Sequence, residues 1–241
     1  MGSIRIDKYI SSQLGISRSA VKEHIKKGSA TVNGRIIRDS GFAVDTQNEK
    51  VIFCGKEVNY KEYIYIVMNK PSGILSASND KTRKTVVDLV PDELKRNGLF
   101  PVGRLDKDTT GLLIITNDGV FAHNCIAPKK KIPKRYIAEL DGTVTDDMTQ
   151  VFASGVTLAD NTVLKPAKLK ILSENTAEIT ITEGKYHQIK RMFGTVGLGV
   201  NKLCRKSIGN LILPENLKEG ECFEIDGNEL KKAVNMPSCT F

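Results

Sequence analysis

Residues 102–119 read VGRLDKDTTGLLIITNDG. Asp106 lies in a cationic turn with Arg104 and Lys107, Asp108 follows two positions on, and Gly111 opens an apolar run from Leu112 to Ile115. A short unbroken apolar run bounded by turn residues predicts a strand buried on both faces. Asn117, Asp118 and Gly119 then close it with a turn. Thr109, Thr110 and Gly111 tie the preceding loop to that strand, so a carboxylate in the loop is held at a fixed place on the rim of a core. An aspartate among cations is ordinarily a surface ion pair worth about 0–1 kcal/mol. Fixed in place, however, a carboxylate that neighbouring cations keep ionised could serve as nucleophile or base. The Asp-x-Asp pair could instead hold magnesium. The surrounding Arg and Lys oppose a divalent cation, and no Gly-Lys-Ser/Thr phosphate loop is present, which makes metal the weaker reading.

Outward from this stretch, strands and helices alternate irregularly. YIYIVMNKPSG (63–73) predicts a buried strand ending in a turn, and TVVDLVP (85–91) a short helix closed by Pro91. A short helix through Phe121 to Ile126 follows the quoted stretch, and the basic loop PKKKIPK leads into the strand RYIAEL (135–140). Thr145, Asp146 and Asp147 open a helix that Gly155 closes. LKILS and AEITITE predict strands, KYHQIKRMF (185–193) a helix, and three further strands fall between about 201 and 225. This is not the regular βα repeat of a parallel sheet. An α+β domain with a mixed, mainly antiparallel sheet is expected over 63–241.

The first 60 residues differ in charge. They hold 10 Lys and Arg against 6 Asp and Glu, about half of the chain's net +8 in a quarter of its 241 residues. Ile6, Ile10 and Leu14 have helical spacing up to Gly15, and Ser17 is placed to cap a second helix over roughly 18–27. On that helix Val21 and Ile25 face inward while Arg18, Lys22 and Lys26 form a ridge. SATVNGRIIR predicts a hairpin turning at Asn33-Gly34. Two short runs near 51–53 and 57–58 would complete a small sheet. Helix, basic helix and Asn-Gly hairpin in this order resemble the S4 RNA-binding domain over residues 1–58, with 59–62 as linker. Arg18, Lys22, Lys26, Asn33 and Arg35 are the expected RNA contacts, because a cationic ridge beside a hairpin meets phosphates without reading base edges.

The longest apolar stretches are strand-sized, far short of a bilayer span, and residues 5–8 break any apolar run near the start. A cytoplasmic protein with no membrane association is expected. The five cysteines are scattered with no Cys-x-x-Cys pair and are expected to be reduced. His123 and His187 lack companions at metal-ligand spacing, and no metal site is expected.

GRLDKDTTGLLIITNDG, KRYIAEL and EGKYHQIKRM, in this order behind the S4-like segment, resemble the signature set of the rRNA pseudouridine synthases of the RsuA type. The resemblance spans nearly the whole chain. It implies a cofactor-free isomerase with Asp106 as the essential catalytic residue, Tyr136 packed against the target base, and Lys190 paired with the aspartate. Ile189 would line the pocket, with Arg104, Lys107, Gln188 and Arg191 about the substrate. Many relatives carry arginine at the Lys190 position; lysine keeps the charge but loses a bidentate grip on a carboxylate. The wording KYHQIKRM, with Tyr186 and His187, points to 16S rRNA of the small subunit. The implied partner is ribosomal RNA or a partly assembled small subunit, met by a monomer. The alternatives are a non-catalytic S4-domain assembly factor, a synthase acting on 23S rRNA, and a magnesium-dependent phosphoryl-transfer enzyme using Asp106 and Asp108.

Overall fold

The computed structural model describes residues 2–235. They group into two compact units, one formed by the chain up to Ile64 together with Val90–Leu99, the other by Tyr65–Leu89 and residues 100–235.

In the first unit β1 (Ser3–Arg5) leads into α1 (Ile6–Leu14), which ends where Gly15 takes φ 66°. α2 (Arg18–Lys26) begins with the Ser17 side chain accepting a hydrogen bond from Ala20 N. Next come β2 (Ala30–Val32), β3 (Arg35–Ile37), β4 (Ala43–Asp45), β5 (Val51–Phe53) and β6 (Lys56–Val58). β2 and β3 turn through Asn33 and Gly34, both at positive φ, as the dipeptide predicts. Cys54 and Gly55 adopt the same handedness between β5 and β6, without an Asn-Gly signature to announce it. The strands pair in the order β3-β2-β5-β6, with β1 against β4 apart from them. Ile6, Ile10, Val21 and Ile25 are fully buried beneath the sheet residues Ala30, Val32 and Val51.

The second unit contains β7 (Tyr65–Lys70), β8 (Phe100–Pro101), β9 (Thr110–Thr116), α3 (Gly119–Ile126), β10 (Lys134–Leu140), α4 (Asp146–Ser154), β11 (Lys168–Ser173), β12 (Thr176–Ile181), α5 (Gln188–Thr195), β13 (Val200–Ile208), β14 (Leu211–Ile212), β15 (Cys222–Glu224) and α6 (Gly227–Asn235). Its sheet runs β11-β12-β10-β13-β9-β7-β15, with β14 on β13 and β8 on β9. All pairings are antiparallel except β9 with β13. The α+β expectation of a mixed, mainly antiparallel sheet is borne out. That parallel seam divides two apolar cores. One packs β10 and β12 against α4 and α5; the other packs β7 and β9 against α3 and α6.

Two expected elements differ. Residues 85–91 are not helical: Asp88 Oδ2 accepts from Thr85 N at 2.8 Å and Thr85 Oγ1 at 2.9 Å, which closes a tight turn instead. The helix expected over 185–193 begins only at Gln188, because His187 holds φ 48° and cannot continue a right-handed helix. Cys54, Cys125, Cys204 and Cys222 are free thiols; Cys239 lies outside the described residues. Among the described residues no helix is long and apolar enough to cross a membrane.

Gly111 sits in the seam at φ 101°, where a Cβ would lie 2.3 Å from the carbonyl oxygen and 2.7 Å from the amide nitrogen of Arg205. The neighbouring atoms are backbone and cannot yield without parting β9 from β13. Gly111→Ala is therefore expected to destabilise the second unit by about 4 kcal/mol or more, read as a lowered urea midpoint.

Candidate active site

Ahead of Asp106 its loop is anchored in two different cores. Val102, 2% exposed, belongs to the β7/β9 core, while Leu105, 7% exposed, belongs to the β10/β12 core. Val102 N also donates to Ile114 O at 2.7 Å. Between these anchors and β9 the loop is stapled from beneath. Lys70, wholly buried at the end of β7, donates its ammonium to three carbonyls: Pro71 at 2.9 Å, Lys107 at 3.1 Å and Thr109 at 3.0 Å. All three N–H groups are thereby matched, as a buried ammonium requires. Burial pushes the Lys70 amine down to about 8, opposed by the nearby carboxylates of Asp108 and Asp106. Ser76 makes a reciprocal pair with Leu105, donating to its carbonyl at 2.8 Å and accepting from its amide at 3.1 Å. Thr109 N closes the turn on Asp106 O at 3.1 Å.

Asp106 thus stands, 30% exposed, on the wall of a cleft of about 80 Å³. Pockets that enclose a whole small molecule run to about 300–1,000 Å³, so this cleft suits one flat ring with the remainder of a polymer outside. Arg104, Tyr136, Gln188, Ile189 and Lys190 share its lining. Tyr136, on β10, is 6% exposed, and its hydroxyl lies 3.4 Å from Arg205 Nη1 on the neighbouring β13. Arg205 is buried too. Its Nε donates to Leu112 O at 2.8 Å and its guanidinium lies 5.9 Å from the Tyr136 ring centroid, while Nη2 has no hydrogen-bond partner among the described residues. Thr109 Oγ1, also on the cleft wall, is likewise buried and without a partner among the described residues. Such groups cost about 1–3 kcal/mol each unless something supplies the missing bond.

The expected residues do not all converge. Lys190 lines the cleft, but its ammonium is 2.5 Å from Asp108 Oδ2 and not on Asp106; it holds the Asp108 carboxyl below its ordinary 3.8. The neighbour of Asp106 is His187, with Nε2 at 3.6 Å, beyond hydrogen-bond range. The reason is local: the left-handed His187 starts α5 late, so the imidazole meets the first carboxylate and the longer lysine reaches the second. Gln188 is spent on its own turn, accepting from Lys185 N and donating to Glu183. Arg191 pairs with Asp160 at 2.5 Å, away from the cleft, and Lys107 contributes its carbonyl to the Lys70 staple. Sequence reasoning missed Lys70, Ser76 and Arg205. A lysine closing the run YIVMNK was a signal, since a charge at the end of a strand buried along its whole length needs partners; Ser76 gave none.

In the first unit the basic ridge is organised by a residue that sequence reasoning passed over. Asp7, wholly buried, receives Arg18 at 2.8 Å, Arg5 at 3.2 Å and Lys22 at 3.8 Å. Lys26 lies beside Glu23, and Arg35 is exposed on β3. Asn33 is structural, bonding Lys50 through its main chain and side chain, both at 2.9 Å. Burial raises the Asp7 carboxyl, but hydrogen bonds from Arg5 and Arg18 outweigh it and leave the group below 3.8.

Two outcomes follow from these partners. Lys70→Met, which keeps length but takes the ammonium donor from three carbonyls, of which Lys107 O keeps Gly73 N as a partner, is expected to cost about 3 kcal/mol and to speed amide exchange across residues 105–110, as read by hydrogen–deuterium exchange. For Asp7, the folded carboxyl titrates below the unfolded one, so its contribution is complete above the unfolded value and is lost as pH falls through the folded value. Asp7→Asn should therefore cost about 2 kcal/mol at pH 7. Its urea midpoint should converge on that of the wild type below about pH 3.8.

Known proteins resemble this chain in sequence and in fold. Residues 64–195 match the family described as RNA pseudouridylate synthase, and residues 4–50 match the S4 domain. An uncharacterized RNA pseudouridine synthase of Bacillus subtilis is 40% identical, covering 94% of this chain and 97% of its own. The ribosomal small subunit pseudouridine synthase A of Escherichia coli K12 is 36% identical, covering 96% and 100%. A solved pseudouridylate synthase of 34% identity superposes with a TM-score of 0.67 over 96% of this chain and 100% of that one. With a fixed aspartate beside a ring-sized cleft on such a scaffold, the chain belongs to the RNA pseudouridylate synthase family, with an S4 domain ahead of the synthase domain.

Proposed function

We propose that the protein isomerises a uridine to pseudouridine in the 16S rRNA of the small ribosomal subunit, with Asp106 as the catalytic group. The observation that carries this reading is the fixing of Asp106 by the Lys70 and Ser76 staples at a cleft sized for one ring. Isomerisation breaks the bond from ribose C1′ to uracil N1, turns the base, and joins C5 to C1′; the C5 proton leaves and N1 gains one. Nothing is oxidised or reduced, so no cofactor is called for. The Asp106 carboxylate supplies the negative charge that C1′ requires as N1 departs. Tyr136 and Ile189 give the turning base a buried wall, and Lys190, held by Asp108, places a positive charge on the lining of the cleft that Asp106 shares. Arg104, exposed at the cleft, meets the phosphate of the everted nucleotide.

The ridge of Arg18, Lys22 and Lys26, with Arg35, docks on RNA phosphates. The proposed substrate is rRNA or a partly assembled small subunit, in which the target can still be everted, and the protein works in the cytoplasm as a monomer. Likeness to the Escherichia coli small-subunit enzyme over 96% of this chain and all of that one supports 16S over 23S rRNA.

Pseudouridine mapping of both ribosomal RNAs from cells with and without the gene tests the substrate. One 16S site should vanish with the gene; loss of a 23S site, or of none, contradicts the reading. Asp106→Asn should lower pseudouridine formation by about 10⁴-fold while RNA affinity stays within about two-fold. A variant of unimpaired activity would remove Asp106 from the chemistry.

A further inference from the structure

One exposed aromatic is not explained by the fold. Tyr186 is 75% exposed, the most exposed of the large apolar and aromatic side chains among the described residues, on the turn that leads into α5. It does not lie loose: its ring stacks on His187 with centroids 3.8 Å apart and planes 17° from parallel. His187 is fixed in turn, with its backbone in the left-handed region at φ 48° and Nε2 3.6 Å from Asp106 Oδ1. A non-glycine residue in that region is uncommon and persists where the surroundings enforce it. The turn is enforced by Gln188, whose Oε1 accepts from Lys185 N at 2.9 Å, and by Lys185 Nζ on Val163 O at 2.8 Å. The result is a flat ring with one face supported and the other open to solvent, just outside the cleft that Lys185 and His187 line.

We infer that Tyr186, propped on His187, is a stacking platform for the nucleobase next to the uridine that enters the cleft. The inference rests on the proposed function. Everting one nucleotide breaks the stack on both its sides, and a neighbouring base needs a new partner close to the mouth of the site. Every base offers a π-face, and an aromatic ring propped at the rim receives it with little ordering cost. The site takes a purine or pyrimidine ring of single-stranded RNA, and its position makes it a substrate-binding group that does not touch the reacting atoms.

The test uses the full-length protein, with an rRNA transcript containing the mapped target and 2-aminopurine at the adjacent position. Tyr186→Ala is expected to raise KM roughly ten-fold, with a much smaller change in kcat, and to remove the fluorescence quenching that wild-type protein causes on binding. Tyr186→Phe should restore both; Tyr186→Leu should restore neither. Because the side chain is exposed, thermal midpoints of all three should match the wild type. If leucine serves as well as phenylalanine, the contact is apolar packing and the platform is wrong. Alanine at wild-type KM, or quenching that survives it, also overturns the inference. A wild-type enzyme that forms no pseudouridine in any rRNA transcript or partly assembled small subunit overturns the proposed function instead, and that outcome is told apart by the wild-type control.

Discussion

A buried lysine ammonium shared among three backbone carbonyls is the contact on which this site depends. Lys70 sits at the end of β7 with no solvent exposure, and two of the carbonyls it holds belong to the loop that carries Asp106. A loop on a protein surface is ordinarily mobile. Here Val102 and Leu105 bury it in separate cores, Ser76 grips Leu105 at both backbone groups, and Lys70 bonds the far side. Each attachment would be modest alone. Together they hold one carboxylate in place before any substrate arrives, so the cost of ordering it is met on folding rather than on binding.

The seam between β9 and β13 gives that loop its setting. It is the one parallel pairing in a sheet otherwise antiparallel among the described residues, and the close approach of Gly111 to Arg205 belongs to it. Across the seam Arg205 reaches back to Leu112 O and toward the Tyr136 hydroxyl, coupling the strand that follows the Asp106 loop to the wall of the cleft. The S4 unit solves a different electrostatic problem. Arg5, Arg18 and Lys22 would repel one another; the buried carboxylate of Asp7 holds them side by side while leaving about half of each side chain exposed. A cationic surface ordered from beneath in this way suits a partner whose charge is regularly spaced, such as a phosphate backbone.

Most strands and helices were legible because their signals are local. The alternation and capping around α2, the Asn33-Gly34 turn and the apolar run of β9 each lie within a dozen residues, and local sterics and burial decide them. The helix expected at residues 85–91 failed because a side-chain acceptor, Asp88, competed successfully for a backbone donor. The strand pair at 51–53 and 57–58 was legible, but not the positive φ of its turn, because pairing of β5 with β6 through Cys54 and Gly55 imposes a conformation that cysteine does not advertise.

The sequence alone determined the fold class, the family resemblance, the special standing of Asp106 and the basic character of the first 60 residues, since all of these follow from residue type and short-range spacing. Only the tertiary structure decided which cation faces which carboxylate. Lys190 meets Asp108, His187 approaches Asp106, and Lys70 holds the loop from a strand more than thirty residues away. Such pairings turn on side-chain reach and on the angle at which an element enters, and a single left-handed residue at position 187 shifts both. Spacing along a chain carries no record of that angle.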